Sequence, residues 1–324
     1  MLTYVIRRLL YGAFVLVVAS FVIFTLVSVA GDPLAYLRMQ PGVSQTTIDN
    51  ITQRNHLDEN VVVRYGHWVK DALTNEFGNT LIANRPILPD LLRAMGHTIQ
   101  LVLVAQVLIL VFGVAIGVVS ALRQYSVFDH TATTFSFLGF AMPAFWLALM
   151  LQVLATKAYV STGHHVFPIA NLSSVNPGSG VHFVVDRAWH LCLPLIVLMC
   201  EGIAQYSRYM RAAMLEVVSA DYVRTARAKG LPERKVNMRH AFRNALIPLV
   251  TLVGLSFGYL LSGVVVTETV FGLDGMGLFL VRALNAGDPY PVMAWMMVVA
   301  TMIIVFNLLT DIAYGYLDPR VRFD

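Results

Sequence analysis

Charged residues are scarce in this sequence, at 13% of 324 residues, whereas hydrophobic residues make up 57%. A soluble globular domain carries about 25% charged residues. The mean hydropathy is +0.67, and several apolar runs exceed the roughly 20 residues that a helix needs to cross the hydrocarbon of a bilayer. We therefore predict an integral membrane protein. The formal charge of only +4 indicates neither a nucleic acid nor an acidic substrate as a partner.

Cysteine is rarer still, with Cys192 and Cys200 as the only two. They lie eight residues apart in one predicted helix, which separates them by roughly 12 Å along its axis. That distance excludes a disulfide between them, and the spacing matches no metal-ligand pattern. We interpret both as small apolar side chains.

The sequence also lacks the motifs of catalysis. No P-loop of the form G-x-x-x-x-G-K-S/T occurs, so the chain cannot hold ATP in that manner. We find no coherent nucleophile and base either, and we expect no catalytic residue, cofactor or metal in this chain. A group of histidines in or near one predicted external loop has no carboxylate or cysteine to complete a ligand set. These histidines are His164, His165, His182 and His190.

The apolar runs predict an all-α polytopic membrane protein with six transmembrane helices. Arg7 and Arg8 precede the first run and place the N-terminus inside; the C-terminus then lies inside as well. The predicted spans are 9–30, 98–122, 132–156, 190–209, 245–266 and a sixth that starts at about 288–291 and ends near Tyr314. The chain thus divides into an N-terminal transmembrane helix (1–30), an extracytoplasmic insertion (31–97), a core of five spans (98–317) and a cytoplasmic tail (318–324).

The insertion has mixed charge without a positive excess, which indicates the outer face. Ser44 is suited to cap a helix that runs to about Asn55. A second helix carries an apolar stripe that includes Tyr65 and Trp68. For these two aromatic residues we favour packing in a small core over binding of a partner.

The most basic stretch is Ser219–Leu249, between two predicted spans. Its positive excess marks the cytoplasmic side. Good helix formers occupy 221–229, Gly230 can adopt the left-handed conformation that ends a helix, and Pro232 can open the next helix. A solvated basic loop and a DNA-binding helix-turn-helix are the alternative interpretations.

This stretch resembles the cytoplasmic signature of ABC importer permeases, usually written E-A-A, three residues, G, nine residues, I, one residue, L-P. Ala226 and Gly230 match its alanine and glycine, and Ile247-Pro248 matches its end. In that family the first short helix docks on an ATPase subunit and is called the coupling helix. Within 216–243, the resemblance assigns ATPase coupling to Asp221, Tyr222, Arg224, Thr225, Ala226, Arg227, Lys229, Gly230 and Leu231.

The order of residues in 221–231 is similar to the dipeptide, oligopeptide and nickel branch, and Arg7-Arg8-Leu9 and Gly31-Asp32-Pro33 resemble its B-type subunits. The ending Leu317–Arg320 matches the Leu-Asp-Pro-Arg signature of the family. The resemblance implies the type I importer fold in the cell membrane. It also implies a heterodimer with a second permease, two ATPase domains that bind ATP and Mg, and an extracytoplasmic substrate-binding protein that contacts the insertion. The implied substrate is a dipeptide or short oligopeptide, with nickel, haem or another small solute as alternatives.

Glu201 is the only acidic residue well inside a predicted span. A carboxylate in the membrane is costly and usually faces a cavity or a partner. It could bind the ammonium end of a peptide, or relay protons in a proton-coupled secondary transporter. Alternatively, it pairs with Arg208 or with a neighbouring subunit.

Two features of the spans concern their shape. Met142, Pro143 and Phe145 interrupt the third span, where proline bends a helix; the bend either lines the translocation path or is a packing kink. Gly113 and Gly117 form a small-xxx-small pair in the second span, which allows a neighbouring helix to approach closely.

The segment after the fifth span is a candidate extracellular gate by resemblance. Its residues of interest are Phe271, Asp274 and Met276. The family usually has Pro-Gly-Leu-Gly where this chain has Asp274–Gly277.

Overall fold

The computed structural model describes residues 2–29, 31–39, 41–74, 77–164, 166–261 and 264–317. The predicted tail, 318–324, and His165 lie outside the described residues. Within those ranges the chain is helical, apart from turns and one isolated antiparallel bridge between Asn79 and Pro86. In chain order the helices are α1 (Leu2–Val29), α2 (Ala35–Met39), α3 (Gln45–Arg54), α4 (Val61–Thr74), α5 (Ile87–Leu122), α6 (Val127–Ala141), α7 (Ala144–Thr162), α8 (Val181–Val218), α9 (Asp221–Ala228), α10 (Glu233–Lys235), a π-helical segment (Val236–Phe242), α11 (Arg243–Leu261), α12 (Val265–Val270), α13 (Met276–Asn285) and α14 (Pro289–Leu317).

Among the described residues, five helices are long and apolar enough to cross a membrane. They contain the segments Val5–Val29, Ile87–Leu122, Ala144–Thr162, Val181–Val218 and Pro289–Ile312. The remaining predicted span, 245–266, corresponds to the 19-residue helix α11, which packs along α14 with Gly254 against Thr310. The all-α membrane architecture predicted from the apolar runs is therefore confirmed.

The third predicted span, 132–156, is wrong as a single helix. The structure has two helices there, α6 and α7, with Met142 between them in an extended conformation at ψ 121°. Proline disfavours the helical conformation in the residue before it, so Pro143 ends α6 and then serves as the N-cap of α7.

The fourth predicted span, 190–209, lies within the longer helix α8, which continues beyond it at both ends. The prediction stopped where charged side chains begin. In the structure those charges have partners on neighbouring helices: Arg187 Nε donates to Gln100 Oε1 at 3.1 Å, and Arg211 Nε donates to Asp129 Oδ1 at 2.7 Å. These two contacts hold the charged ends of α8 against α5 and α6.

The helices α5 and α8 form the most extensive helix pair. Gly113 lies against Tyr206 of α8, and Gly117 lies against Ser207 and Met210. The absence of side chains at the two glycines lets the backbones approach closely, as the small-xxx-small pattern predicts. Met210 is completely buried at this contact.

Polar contacts mark two opposite ends of this helix bundle. At one end Arg8 of α1 pairs with Asp311 of α14, and Arg211 of α8 pairs with Asp129 of α6. The start of α1 and the last turns of α14 therefore lie at the same end of the bundle.

The insertion packs on the other end. Ser44 caps α3 as predicted, since its hydroxyl oxygen accepts a hydrogen bond from the Thr47 N–H at 3.2 Å. The Leu81 N–H donates to the buried Asp288 carboxylate at 2.7 Å and so ties the insertion to the start of α14. Burial raises the pKa of Asp288, and its hydrogen bonds oppose that shift.

Tyr65 and Trp68 attach the insertion to α1, which confirms the packing interpretation of both residues. The Trp68 ring is buried, with its centroid 5.9 Å from that of Phe24. The Tyr65 hydroxyl lies 2.7 Å from the Ser20 hydroxyl.

The close contact of α5 and α8 predicts the effect of Gly117→Ala. A Cβ at this position would lie 2.6 Å from the Ser207 carbonyl oxygen, so the helices must separate, at a cost of about 1–3 kcal/mol. We expect a lower melting temperature and lower yield of the purified protein. Gly96→Ala on the same helix is the matched control, because a Cβ there meets no atom within 4 Å. Equal behaviour of the two variants would contradict this account of the helix contact.

Candidate functional site

The basic segment folds as a helix and a tight turn, as predicted. The helix α9 covers Asp221–Ala228, and Gly230 follows with φ +74°. Pro232 is the N-cap of the one-turn helix α10. Val223, Ala226 and Val236 are buried together beneath the turn, so this segment has a small core of its own.

The residues assigned to ATPase coupling divide into an exposed face and its support. Ala226 is buried, and Arg227 braces the turn through its Nε, which donates to Glu233 Oε1 at 3.0 Å, and through a hydrogen bond to the Val218 carbonyl. Leu231 packs against the buried core of the segment. The exposed face is formed by Asp221, Tyr222, Arg224, Thr225 and Lys229.

The π-helical segment that follows this turn is not evident from the sequence. It lies between α10 and α11, and its residues Val236 and Ala241 are buried. A π-helix places an extra residue in the turn, and such segments are frequent at functional sites. Here it joins α10 to α11 without a loop, so the turn after α9 is followed by continuous helix into α11.

A cavity of about 630 Å³ lies between α5, α8, α11 and α12. Its walls are mostly apolar, and Glu201 and Gln205 of α8, Gln106 of α5 and Ser256 of α11 contribute polar groups. Gln106 is buried, its amide nitrogen donates to the Tyr206 hydroxyl at 3.1 Å, and its Oε1 atom has no hydrogen-bond partner among the described residues.

Glu201 is exposed on the cavity wall and has no cation within salt-bridge distance among the described residues. The alternative in which it pairs with Arg208 is wrong. The Arg208 guanidinium lies over the rings of Phe137 and Phe140, at 5.2 Å and 4.5 Å from their centroids, and its Nε donates to the Ala204 carbonyl.

The structure does not bring the other path candidates to this cavity. Within 142–145, Ala144 is the one residue that lines the cavity. Met142, Pro143 and Phe145 do not line it. The Phe145 side chain is 54% exposed on the outer surface of the bundle. These three residues are therefore placed apart from Glu201 in this conformation.

The three gate candidates lie in a segment that is held in place by hydrogen bonds and an ion pair. Phe271 is buried in the core, and Met276 is buried with its N–H donating to the Thr98 hydroxyl at 2.8 Å. Asp274 pairs with Arg282 at 2.7 Å, and its carbonyl lies 2.8 Å from His97 Nδ1.

The chain matches two family models. Residues 113–323 match the binding-protein-dependent transport system inner membrane component, and residues 1–89 match the N-terminal part of the same membrane component. This chain belongs to the binding-protein-dependent transport permeases. It is therefore a membrane transport subunit.

Curated relatives of this permease match it from end to end. It is 36% identical to the oligopeptide transport system permease protein OppB of Mycobacterium tuberculosis strain H37Rv, with 99% of each chain covered. It is 34% identical to the dipeptide transport system permease protein DppB of Escherichia coli K12, again with 99% of each chain covered. It is also 34% identical to the oligopeptide transport system permease protein AppB of Bacillus subtilis strain 168, over the full length of both.

The buried carboxylate of Glu268, in the segment after the fifth predicted span of the permease, is not evident from the sequence. In the structure this side chain is 1% exposed and accepts hydrogen bonds from Thr98 Oγ1 and Gly277 N–H, both at 2.6 Å. Burial raises its pKa, and these hydrogen bonds oppose the shift. A Cβ at Gly275 would collide with the carboxylate. The closely spaced glycines after Glu268 are therefore the sequence feature that could indicate the buried carboxylate.

Proposed function

We propose that this permease is the translocating subunit of an ATP-driven importer of dipeptides or short oligopeptides. The substrate class is supported by the full-length similarity to relatives named as oligopeptide and dipeptide permeases. In this proposal six helices span the membrane: the five apolar ones and α11. The end of the bundle that carries Arg8, Asp129 and the basic turn is cytoplasmic, because its basic excess follows the positive-inside rule.

We propose that the ATPase subunits bind to the exposed face of α9. A docking surface must transmit movement, and this one rests on buried Val223, Ala226 and Val236 rather than on a flexible loop. From α9 the chain runs through the tight turn, α10 and the π-helical segment into α11. We propose that two partner ATPase domains bind ATP and Mg, and that their closure moves α9 and rocks the spanning helices between two states.

The cavity beside Glu201 supports a role in substrate passage. A peptide at neutral pH has an ammonium group at one end, and a carboxylate and an amide oxygen are acceptors for its N–H donors. Glu201 supplies the first, and Gln106, whose Oε1 has no partner among the described residues, supplies the second. A second, similar permease would close the open side of the cavity, and a substrate-binding protein would deliver the peptide at the end that carries the insertion.

Reconstitution tests the function as a whole. We expect liposomes that contain the permease, its second permease and the ATPase subunits to take up a labelled dipeptide when its binding protein and ATP are supplied on their respective sides. A non-hydrolysable ATP analogue should abolish uptake. Uptake driven by a proton gradient without ATP would overturn the proposal and favour a proton-coupled secondary carrier.

The Glu201→Gln variant tests the cavity. A charged hydrogen bond contributes about 1.5–3 kcal/mol, so we expect uptake to fall roughly tenfold or more while the yield of the assembled complex stays unchanged. Asp90→Asn is the matched control, since it also neutralises an exposed carboxylate, on α5 and away from the cavity. Normal uptake by the Glu201 variant would exclude this role.

Substitutions at Gly230 test whether the turn after α9 supports the docking of the ATPase subunits. A β-branched side chain at φ +74° is strained, at roughly 1–2 kcal/mol, so Gly230→Val should reduce the amount of ATPase that copurifies with the permease. Gly230→Asn should behave nearly as the wild type, because asparagine tolerates the left-handed conformation. An added Cβ meets no atom within 4 Å, so the comparison isolates the backbone. Full ATPase retention by the valine variant would contradict the prediction.

A further inference from the structure

Two histidines and a glutamate converge in the insertion, away from the cavity and from α9. His56 lies in the turn after α3, Glu59 lies just before α4, and His67 lies within α4. His56 Nδ1 is 3.0 Å from Glu59 Oε1, and His67 Nε2 is 3.2 Å from Glu59 Oε2. The two imidazole rings stack with centroids 4.1 Å apart and an interplanar angle of 5°. The carboxylate therefore faces both histidines.

These side chains have the donor types of a zinc site. Each offers one ligand atom, and the three ligand atoms lie within 4.8 Å of one another. Zinc binds imidazole nitrogen and carboxylate oxygen at about 2.0–2.2 Å, so small side-chain rotations would bring all three into its coordination sphere. Two imidazoles and one carboxylate leave a fourth position for water.

One oxygen of the Glu59 carboxylate lacks a hydrogen-bond partner among the described residues. Glu59 Oε2 is buried but accepts no hydrogen bond from the described residues, because the nearby His67 nitrogen does not meet the geometry of one. Buried polar atoms are normally satisfied, and an exception indicates a bound water or ion or a functional role. A cation between Glu59 and the two histidines would satisfy this oxygen.

We propose that His56, Glu59 and His67 form a binding site for a divalent transition metal, Zn²⁺ in particular, on the extracytoplasmic insertion. The three side chains are 36–43% exposed, so an ion can enter from solvent. This assignment departs from the expectation that the chain binds no metal.

The position of the site indicates what the metal would do. His67 directly precedes Trp68, whose buried ring packs against Phe24 of α1. The metal would link α4 to the turn that follows α3. The insertion would thereby be stiffened where it meets the first spanning helix.

The direct test uses the full-length permease, purified in detergent without a polyhistidine tag and freed of metal by a chelator. Titration with Zn²⁺ in a calorimeter should show one equivalent bound with micromolar or tighter affinity. Co²⁺ should give the visible absorption of a four-coordinate ion, and Zn²⁺ should displace it. Absence of binding below millimolar Zn²⁺ would show that the three side chains form only a hydrogen-bonded group, and would overturn the proposal.

Three variants assign the ligands: His56→Gln, Glu59→Gln and His67→Gln. Each should weaken Zn²⁺ binding at least about tenfold while eluting as the wild type in size-exclusion chromatography. His164→Gln is the matched control, since it removes an exposed histidine from another loop. Unchanged affinity in all three ligand variants would place the ion elsewhere and overturn the proposal.

X-ray absorption at the zinc edge of the wild-type protein supplies a test that no variant's folding can affect. The expected spectrum has two imidazole ligands and oxygen neighbours from the carboxylate and water. A spectrum with sulfur ligands, or with oxygen alone, would contradict the assignment.

Discussion

The close contact between α5 and α8 is the constraint on which the rest of the permease depends. Gly113 and Gly117 let the two helices approach until buried Met210 fills the contact. Once this pair is fixed, α5 presents Gln106 to the cavity and α8 presents Glu201 opposite it. The far end of α8 leads directly into α9, so the same contact sets where the basic turn lies. A shift between these two helices would therefore reach both the cavity and the docking surface.

The carboxylates of the bundle separate into structural and functional groups by their partners. Asp129, Glu268 and Asp288 are buried, and each is satisfied: by Arg211, by Thr98 with nearby backbone N–H groups, and by the Leu81 N–H. Charges removed from water must be paired or hydrogen-bonded, and these three hold neighbouring elements together. Glu201 differs because it faces a cavity without a partner among the described residues. That contrast is the physical reason for giving it the role in substrate passage.

Local features were predictable because their causes lie within a few residues. The left-handed Gly230 and the Ser44 cap follow from backbone sterics and one short hydrogen bond. The break at Met142 had its signal in Pro143, but the prediction allowed for a bend rather than a complete interruption. The partners of Arg187 and Arg211 were not predictable, since they come from other helices.

The sequence by itself determined the membrane class, the approximate spans and the turn after α9, because hydropathy and backbone preference act over short stretches. Only the tertiary structure decided which polar side chains meet. Thr98 and Glu268 are 170 residues apart in the chain, and the irregular spacing of His56, Glu59 and His67 follows no single helix face. Such pairings arise from the packing of whole helices, which no local pattern encodes. For the same reason Glu201 and Gln106 share one cavity while Phe145 lies on the outer surface.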